Sequence, residues 1–303
     1  MISIKHAGIA LAVLLVLTCD FAADAAEGSW ELAENGKNWK YSYAPGEQAR
    51  DVWIEDTGKE YYIDSNGNMK TGWVTDHENG CKYYMGSDGA KCYNTFTPDG
   101  HYVGPEGTVL EAFDVYRKAV TKELTRLLKD KSYRNQDGTP PGFLLRDLNG
   151  DGYRDVVAAD RVVSPQRIIL AAVWNPEEEK LRTAAEADMA GEEESFLTYN
   201  DESGTAWLTI RKDGGNRDYF MMDYHGAAFD SVWHFEAEYN EWGDPVYSVD
   251  GLSCSREEWD STLAMVDGQT GSPITGYLPL DADTVTLTVD RAPAEEELPM
   301  WQP

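Results

Sequence analysis

The stretch YYIDSNGNMKTGW, from Tyr61 to Trp73, decides how the first third of the chain folds. Two tyrosines precede the turn and a tryptophan closes it, and aromatic residues are enriched in β-strands. Between them, Asn66 and Gly67 form a dipeptide that tolerates the positive φ angles of a tight hairpin turn. The stretch therefore predicts a β-hairpin with an aromatic strand, an Asn-Gly turn and a short return strand.

The same pattern recurs between Gly28 and Gly107 with a period of about 20 residues, which lies in the range of repeat arrays. A single hairpin is marginally stable in water, so the repeated units must stack to share a core. The glycines that open each aromatic strand, followed by those of the turns, are Gly36, Gly58, Gly80, Gly46, Gly67 and Gly89.

The segments GKEYYIDSNGNMKTGW and GCKYYMGSDGAKCYNTF resemble the cell-wall-binding repeats of the choline-binding type found in Firmicutes. The resemblance implies a left-handed solenoid of hairpins, in which rings of successive hairpins form shallow sites for choline on teichoic acid or for sugar. The sequence departs from the family where Asn38, Glu60 and Lys82 replace a common Trp, and the third repeat lacks the Gly-Trp ending. Lys82 near such a site would repel choline, so the wall ligand is left open between teichoic acid choline and glycan.

Aromatic rings suit these ligands because their negative faces attract a quaternary ammonium, by about 0.5–2 kcal/mol for each contact. Strand alternation places Tyr61 and Ile63 on one face and Tyr62 on the other. One face can then build the stack while the other offers a binding surface. The alternative is that all the rings are core, because large rings dominate burial in small folds. The predicted ligand-binding residues are Trp53, Tyr61, Tyr62, Trp73, Tyr83 and Tyr84.

A helix-forming pattern begins after residue 107. Thr108 and Glu111 match a capping box, and apolar residues spaced three and four apart predict a helix over Val109–Asp130. Ser255 and Glu258 match a second capping box before a short helix.

Apolar or alternating runs between the two helices predict an antiparallel meander. The predicted fold is a β-hairpin solenoid over residues 27–107, an α+β domain with its N-terminal helix on an antiparallel sheet over 108–290, and a disordered tail over 291–303. The predicted strands are Phe143–Leu145, Val156–Ala159, Ile168–Trp174, Phe196–Tyr199, Ala206–Ile210, Tyr219–Tyr224, Val232–Ala237, Val246–Val249 and Thr284–Val289.

The motif DLNGDGYRD matches the first nine positions of a calcium loop, with glycine at the sixth for the sharp turn. Ala158 replaces the bidentate glutamate at the twelfth position, so the motif is closer to the loops between strands of integrin-type and dockerin-like proteins. A metal-free turn is the alternative. The predicted Ca²⁺ ligands are Asp147, Asn149, Asp151, the carbonyl of Tyr153, and Asp155.

The chain begins with a signal-peptide pattern over residues 1–26, in which the apolar run Ala7–Leu17 is too short for a membrane span. Cleavage and secretion are expected, and lipidation at Cys19 is the second option. With 54 acidic and 26 basic residues the net charge is −28, which opposes nucleic-acid binding. The sequence leaves the oligomeric state open.

Cysteine and histidine residues give no catalytic or zinc motif. Cys81 and Cys92 lie on opposite arms of one predicted hairpin and either form a disulfide or stay as thiols. Asp223, His225 and Asp230 could form a proton-transfer group, yet no known catalytic motif accompanies them. The leading hypothesis is a secreted, non-catalytic protein attached to cell-wall polymer, against a wall-targeted hydrolase or a protein-interaction module with purely structural rings.

Overall fold

The computed structural model of the protein divides the chain into two compact units, an amino-terminal unit ending at Cys92 and a carboxyl-terminal unit starting at Tyr93. The predicted boundary after residue 107 stays a prediction. The predicted signal peptide, with Cys19, lies outside the described residues. The structure describes residues 28–133, 138–163, 166–187, 193–223, 228–291, 293–294 and 297–301.

The amino-terminal unit consists of short antiparallel strands in small sheets. β1, β2 and β3 form a three-stranded sheet, and two hairpins, β4 with β5 and β6 with β7, follow along the chain. The strands are β1 (Ser29–Leu32), β2 (Trp39–Ala44), β3 (Glu47–Gln48), β4 (Val52–Asp56), β5 (Lys59–Ile63), β6 (Gly72–Thr75) and β7 (Lys82–Met85).

The hairpin of β4 and β5 turns at Thr57 and Gly58. Their φ angles are 51° and 75°, and two successive positive φ angles are what a two-residue hairpin turn needs. A β-branched residue rarely adopts a positive φ, so Thr57 gave no turn signal in the sequence.

The turn at Asn66 and Gly67 closes a loop and does not join two full strands. The carboxylate of Asp64 accepts the backbone N–H of Asn66 at 2.9 Å, and a single bridge then joins β5 to Met69. The residues after this bridge form β6, which pairs with β7. The predicted short return strand is thus limited to this bridge and to the hydrogen bond that the N–H of Lys70 donates to the carbonyl of Tyr62 at 2.8 Å, whereas Gly72–Thr75 pairs with the next repeat.

Both faces of β5 are covered by neighbouring strands. Tyr61 and Ile63 lie in one apolar cluster with Tyr41 of β2, whereas Tyr62 lies in a second cluster with Val74 of β6. A hairpin between two others has a neighbour on each side, so both of its faces contribute to packing.

The carboxyl-terminal unit contains one five-stranded and one seven-stranded antiparallel sheet. The helices are α1 (Glu111–Lys129), α2 (Arg256–Gln269), α3 (Ala282–Val289) and α4 (Leu298–Trp301). The strands are β8 (Thr95–Phe96), β9 (Tyr102–Val103), β10 (Gly142–Arg146), β11 (Asp155–Ala159), β12 (Ile168–Asn175), β13 (Lys180–Glu186), β14 (Glu194–Asn200), β15 (Thr205–Arg211), β16 (Arg217–Met222), β17 (Phe229–Tyr239), β18 (Pro245–Val249), β19 (Leu252–Cys254), β20 (Ser272–Pro273) and β21 (Leu278–Pro279).

These two sheets order the carboxyl-terminal unit into layers. The sheet orders are β13-β12-β11-β10-β21 and β19-β18-β17-β16-β15-β14-β20. Apolar residues of α1 cluster with one face of the five-stranded sheet. The other face of that sheet packs on the seven-stranded sheet. On the far face of the seven-stranded sheet, Phe235 and Tyr219 pack against Trp259 of α2. The predicted combination of a helix and an antiparallel meander is present, together with a second sheet.

Only one of the two predicted capping boxes forms. The Ser255 side chain accepts the N–H of Glu258, and the Glu258 side chain accepts the N–H of Ser255. At α1 the predicted box is wrong, because Thr108 accepts the N–H of Gly104 through its backbone carbonyl. The helix instead begins at Glu111, after the cap residue Leu110, with no side-chain cap.

Two predictions for the carboxyl end are wrong. Thr284–Val289 belongs to α3 and not to a strand, because Asp281 caps the helix through the N–H of Thr284 and the spacing buries Val285 with Val289. The tail is also partly ordered, since Trp301 is only 3% exposed. In the part of the chain that is described, no helix is both long and apolar enough to cross a membrane.

Candidate functional site

Aromatic rings of the amino-terminal unit meet between successive hairpins. Trp30 of β1 contacts Tyr41 across its own hairpin and Tyr61 of β5, with ring centroids 5.0 Å apart in both cases. Both contacts are edge-to-face, the arrangement that the quadrupoles of aromatic rings favour. These three residues are the Trp30 group.

The next hairpin repeats this geometry. Trp53 of β4 contacts Tyr62 across its hairpin and Tyr83 of β7, at 5.1 Å in both cases; these residues form the Trp53 group. Trp73 of β6 contacts Tyr84 of β7 at 5.1 Å, and these two form the Trp73 pair. Each tryptophan thus faces a tyrosine of its own hairpin, and the first two also contact a tyrosine of the following hairpin.

Hydrogen bonds fix the first two tryptophans. The indole N–H of Trp30 donates to Asp56 at 2.9 Å, and that of Trp53 donates to Asp76 at 3.0 Å. The backbone N–H of Glu78 and then the Trp53 indole hold the pKa of Asp76 below its usual range. Because this lowered pKa favours the ionised form in the folded state, Asp76 stabilises the unit at neutral pH, and the contribution is lost as the pH falls through the lowered pKa.

The six predicted ligand residues differ in exposure. Tyr62 and Tyr83 are each only 8% exposed, and burial, followed by a hydrogen bond to Asp51, raises the pKa of Tyr62 to about 12. These two tyrosines are therefore mainly core. The four half-buried rings, which still reach solvent, are Trp53, Tyr61, Trp73 and Tyr84.

Trp30 was not among the predicted ligand residues, although it occupies the same place as Trp53 and Trp73. A signal for it exists in the sequence, since each of these tryptophans lies five to seven residues before the glycine that opens the next aromatic strand. The ring of Tyr61 contacts Trp30, whereas the ring of its sequence neighbour Tyr62 contacts Trp53. The predicted ligand role of each ring stays a prediction.

A lysine of the chain lies on the Trp53 group. The Nζ atom of Lys91 is 4.4 Å from the ring centroid of Tyr83 and 5.3 Å from that of Trp53. It also pairs with the carboxylate of Glu60 at 3.1 Å, and the Lys91 side chain is only 10% exposed. The sequence predicted that Lys82 would lie near a ligand site and repel choline, and Lys82 is exposed. The lysine that contacts the rings of Trp53 and Tyr83 is Lys91.

The family model of the choline-binding cell wall binding repeat matches residues 53–69 and 71–91. These two segments contain the Trp53 group, the Trp73 pair and Lys91. The chain belongs to the choline-binding repeat proteins. No curated protein matches this choline-binding repeat protein.

Solved structures are similar to this choline-binding repeat protein over a little more than a quarter of its length. Choline binding protein F from Streptococcus pneumoniae is 36% identical over 27% of this chain and 26% of its own, with a TM-score of 0.23. The choline binding domain of Spr1274 in Streptococcus pneumoniae is 31% identical over 29% of this chain and 96% of its own, with a TM-score of 0.23. Truncated alternansucrase from Leuconostoc mesenteroides is 30% identical over 27% of this chain and 7% of its own, with a TM-score of 0.22. The matched region thus spans about a quarter of choline binding protein F.

The predicted calcium loop of this choline-binding repeat protein is closed by its own hydrogen bonds. The Asp147 carboxylate accepts the backbone N–H groups of Gly150 at 2.7 Å and of Gly152 at 2.8 Å. The Asp151 carboxylate accepts the N–H of Tyr153 at 2.9 Å. Among the described residues, no group of three or more His, Cys, Asp or Glu side chains is arranged to hold a metal ion.

Asp155, the last predicted ligand, is fully buried. Its two carboxylate oxygens accept the backbone N–H groups of Leu148 at 2.8 Å and of Trp174 at 2.9 Å. Burial raises the pKa of Asp155 to about 8, and the two backbone donors act in the opposite direction. The loop carboxylates therefore bind backbone groups and do not converge on one point, and calcium at this loop stays a prediction.

If the loop binds calcium, the ion should stabilise the carboxyl-terminal unit, because a ligand that binds only the folded state adds RT ln(1 + [L]/Kd). This amounts to about 2.7 kcal/mol at a hundredfold excess over Kd. Thermal unfolding in millimolar calcium and in chelator measures the gain, and Asp151→Ala is expected to remove most of it. Coinciding melting curves would show that the loop is only a turn.

The remaining predicted groups are the cysteines and the proton-transfer group. Cys81, Cys92 and Cys254 are free thiols, so the disulfide option between Cys81 and Cys92 is not realised. His225 of the predicted proton-transfer group lies outside the described residues.

Proposed function

We propose that this protein is secreted and attaches, without catalysis, to a cell-wall polymer through choline or glycan groups bound at the half-buried rings of its amino-terminal unit. The observation that carries the proposal is the repeated arrangement of rings between hairpins, in a segment that matches the family model of the cell wall binding repeat. We further propose that the hairpins stack as a solenoid and present these rings on its surface.

The chemistry of the rings supports a weakly held cationic or sugar ligand. Trp30 with Tyr61, and Trp73 with Tyr84, are edge-to-face pairs that are only half buried. A quaternary ammonium on such rings gains about 0.5–2 kcal/mol for each contact, and sugar rings stack on the same faces. One site alone therefore binds weakly, and useful attachment to a polymer depends on several sites acting together.

We expect Trp73→Ala to weaken retention on cell-wall sacculi about tenfold, because one ring contact of about 1–2 kcal/mol is lost from one of several sites. Co-sedimentation of the mature protein with sacculi that carry teichoic acid measures retention. The matched control is Trp39→Ala, which removes an exposed tryptophan of the same unit outside the three ring sets and should leave retention unchanged.

Elution distinguishes the two ligand classes. Choline chloride should release the protein if the rings hold choline, whereas a soluble wall oligosaccharide should release it if they hold glycan. Equal retention of the parent and Trp73→Ala, or no retention of the parent, would favour the interaction module with structural rings.

A further inference from the structure

Lys91 occupies the place in its repeat that Met69 occupies in the preceding one. Each residue lies two positions after a turn glycine, Gly67 or Gly89. Each also forms an isolated antiparallel bridge to the last residue of the aromatic strand of its own repeat, Met69 with Ile63 and Lys91 with Met85. The two side chains therefore start from equivalent points of the backbone.

These equivalent side chains bring different chemistry to their ring groups. Met69 packs into the apolar cluster that contains Trp30 and Tyr61, where its thioether carries no charge. Lys91 brings an ammonium to 4.4 Å from the ring of Tyr83. That distance is well inside the roughly 6 Å range of a cation–π contact.

The contacts of Lys91 are those that an external quaternary ammonium would need. Two rings face its Nζ atom, and the carboxylate of Glu60 balances its charge at 3.1 Å. The side chain is only 10% exposed, so the ammonium is held at the rings and is largely withdrawn from solvent. Because it is tethered, it competes at an effective concentration that dilute ligand does not reach.

We propose that Lys91 is a built-in cationic occupant that closes the Trp53 group to external quaternary ammonium, whereas the Trp30 group, with Met69 at the equivalent position, stays open. Lys91 is thus a specificity-determining residue, and its role as a gate for ligand rests on the proposed function. An external cation can enter the Trp53 group only when the lysine is displaced, so its apparent Kd there is raised by the inverse of the open fraction.

The test uses the full mature chain, with tetramethylammonium chloride and choline chloride as probes. The indole N–H signals of Trp30 and Trp53 in nitrogen-15 NMR report the two groups separately, because each N–H has its own aspartate acceptor. In the parent, we expect the probes to shift the Trp30 signal and to leave the Trp53 signal in place. In Lys91→Met, the Trp53 signal should respond with a Kd at least about tenfold lower than in the parent.

The reciprocal change, Met69→Lys, should abolish the shift of the Trp30 signal on addition of the probes. The Trp53 signal should behave as it does in the parent. Lys59→Met is the matched charge control, because Lys59 is an exposed lysine of the β4–β5 hairpin, which carries Trp53, and it pairs with Asp88 at 3.0 Å. It should change neither signal. Lys91→Ala serves as a second opening variant, with the same expected gain at Trp53.

A readout without ligand tests the occupancy itself. Reductive methylation should label Lys91 at least about tenfold more slowly than Lys59, because only the Lys91 ammonium is enclosed by rings and a carboxylate. Equal labelling of the two lysines, a Trp53 response in the parent equal to that of Trp30, or no gain in both opening variants would each overturn the inference. A Trp30 response in the parent together with a gain at Trp53 in both opening variants would uphold it; if such a protein is still not retained on sacculi, only the proposed function fails.

Discussion

Trp301→Ala is expected to lower the free energy of unfolding of the carboxyl-terminal unit by about 3–5 kcal/mol, the usual loss for a buried tryptophan. Trp301 is 3% exposed, and its ring lies 5.2 Å from that of Phe113 and 5.1 Å from that of Tyr116, both on α1. On its other side, the ring of Tyr153 lies 4.9 Å away. Truncation would leave a cavity among these three rings, and large rings cannot readily collapse into it.

Urea unfolding followed by far-UV circular dichroism measures this loss at the transition of the carboxyl-terminal unit. Trp242→Ala is the matched control, because Trp242 is 77% exposed and its replacement should change the free energy by no more than about 0.5 kcal/mol. If both variants unfold like the parent, Trp301 contributes nothing to the fold and the prediction of a disordered tail holds at this residue.

Asp155→Ala is expected to destabilise the same unit by several kcal/mol. The substitution removes the acceptor of two backbone N–H groups, those of Leu148 and Trp174. Each buried donor left without a partner costs about 1–3 kcal/mol. The carboxylate of Asp155 is fully buried, so water cannot easily replace it.

The measurement is urea unfolding in the presence of chelator, so that no metal contributes. Asp151→Ala is the control within the same loop, since Asp151 is exposed and its replacement should cost about 1 kcal/mol or less in chelator. Similar small losses for both variants would contradict a structural role for Asp155 that is independent of metal.

The sequence predicts well where local chemistry and tertiary packing agree. The capping box of Ser255 and Glu258 forms as predicted, because Ser255 has the extended backbone of a cap residue directly before α2. The box predicted at Thr108 fails, because the neighbouring Val109 forms an antiparallel bridge with Val103 and the chain there is still extended. A four-residue pattern does not show that the strand directly before it holds these residues in an extended conformation.

Helix α3 shows the limit of propensity. Its sequence is rich in threonine and valine, which favour strands, but Asp281 caps its first turn and the helical spacing buries Val285 and Val289 together. Burial of one apolar stripe thus outweighs the preference of single residues. The contact of Lys91 with the rings could not be predicted for another reason, because a sequence pattern does not show where the end of a long side chain lies. The equivalence of Lys91 and Met69 follows only from the register of the repeats.

The indole hydrogen bonds give the amino-terminal unit a direction. Trp30 donates to Asp56 at the end of β4, and Trp53 of the same hairpin as Asp56 donates to Asp76, just after β6. The β4–β5 hairpin therefore accepts one indole hydrogen bond, through Asp56, and donates another, through Trp53. Opening this hairpin breaks both hydrogen bonds. In the proposed solenoid, nearest-neighbour coupling of this kind makes an interior hairpin open together with its neighbours. Amide hydrogens of β4 and β5 should accordingly exchange more slowly than those of β1, so that the slowest exchange in the array lies in its interior.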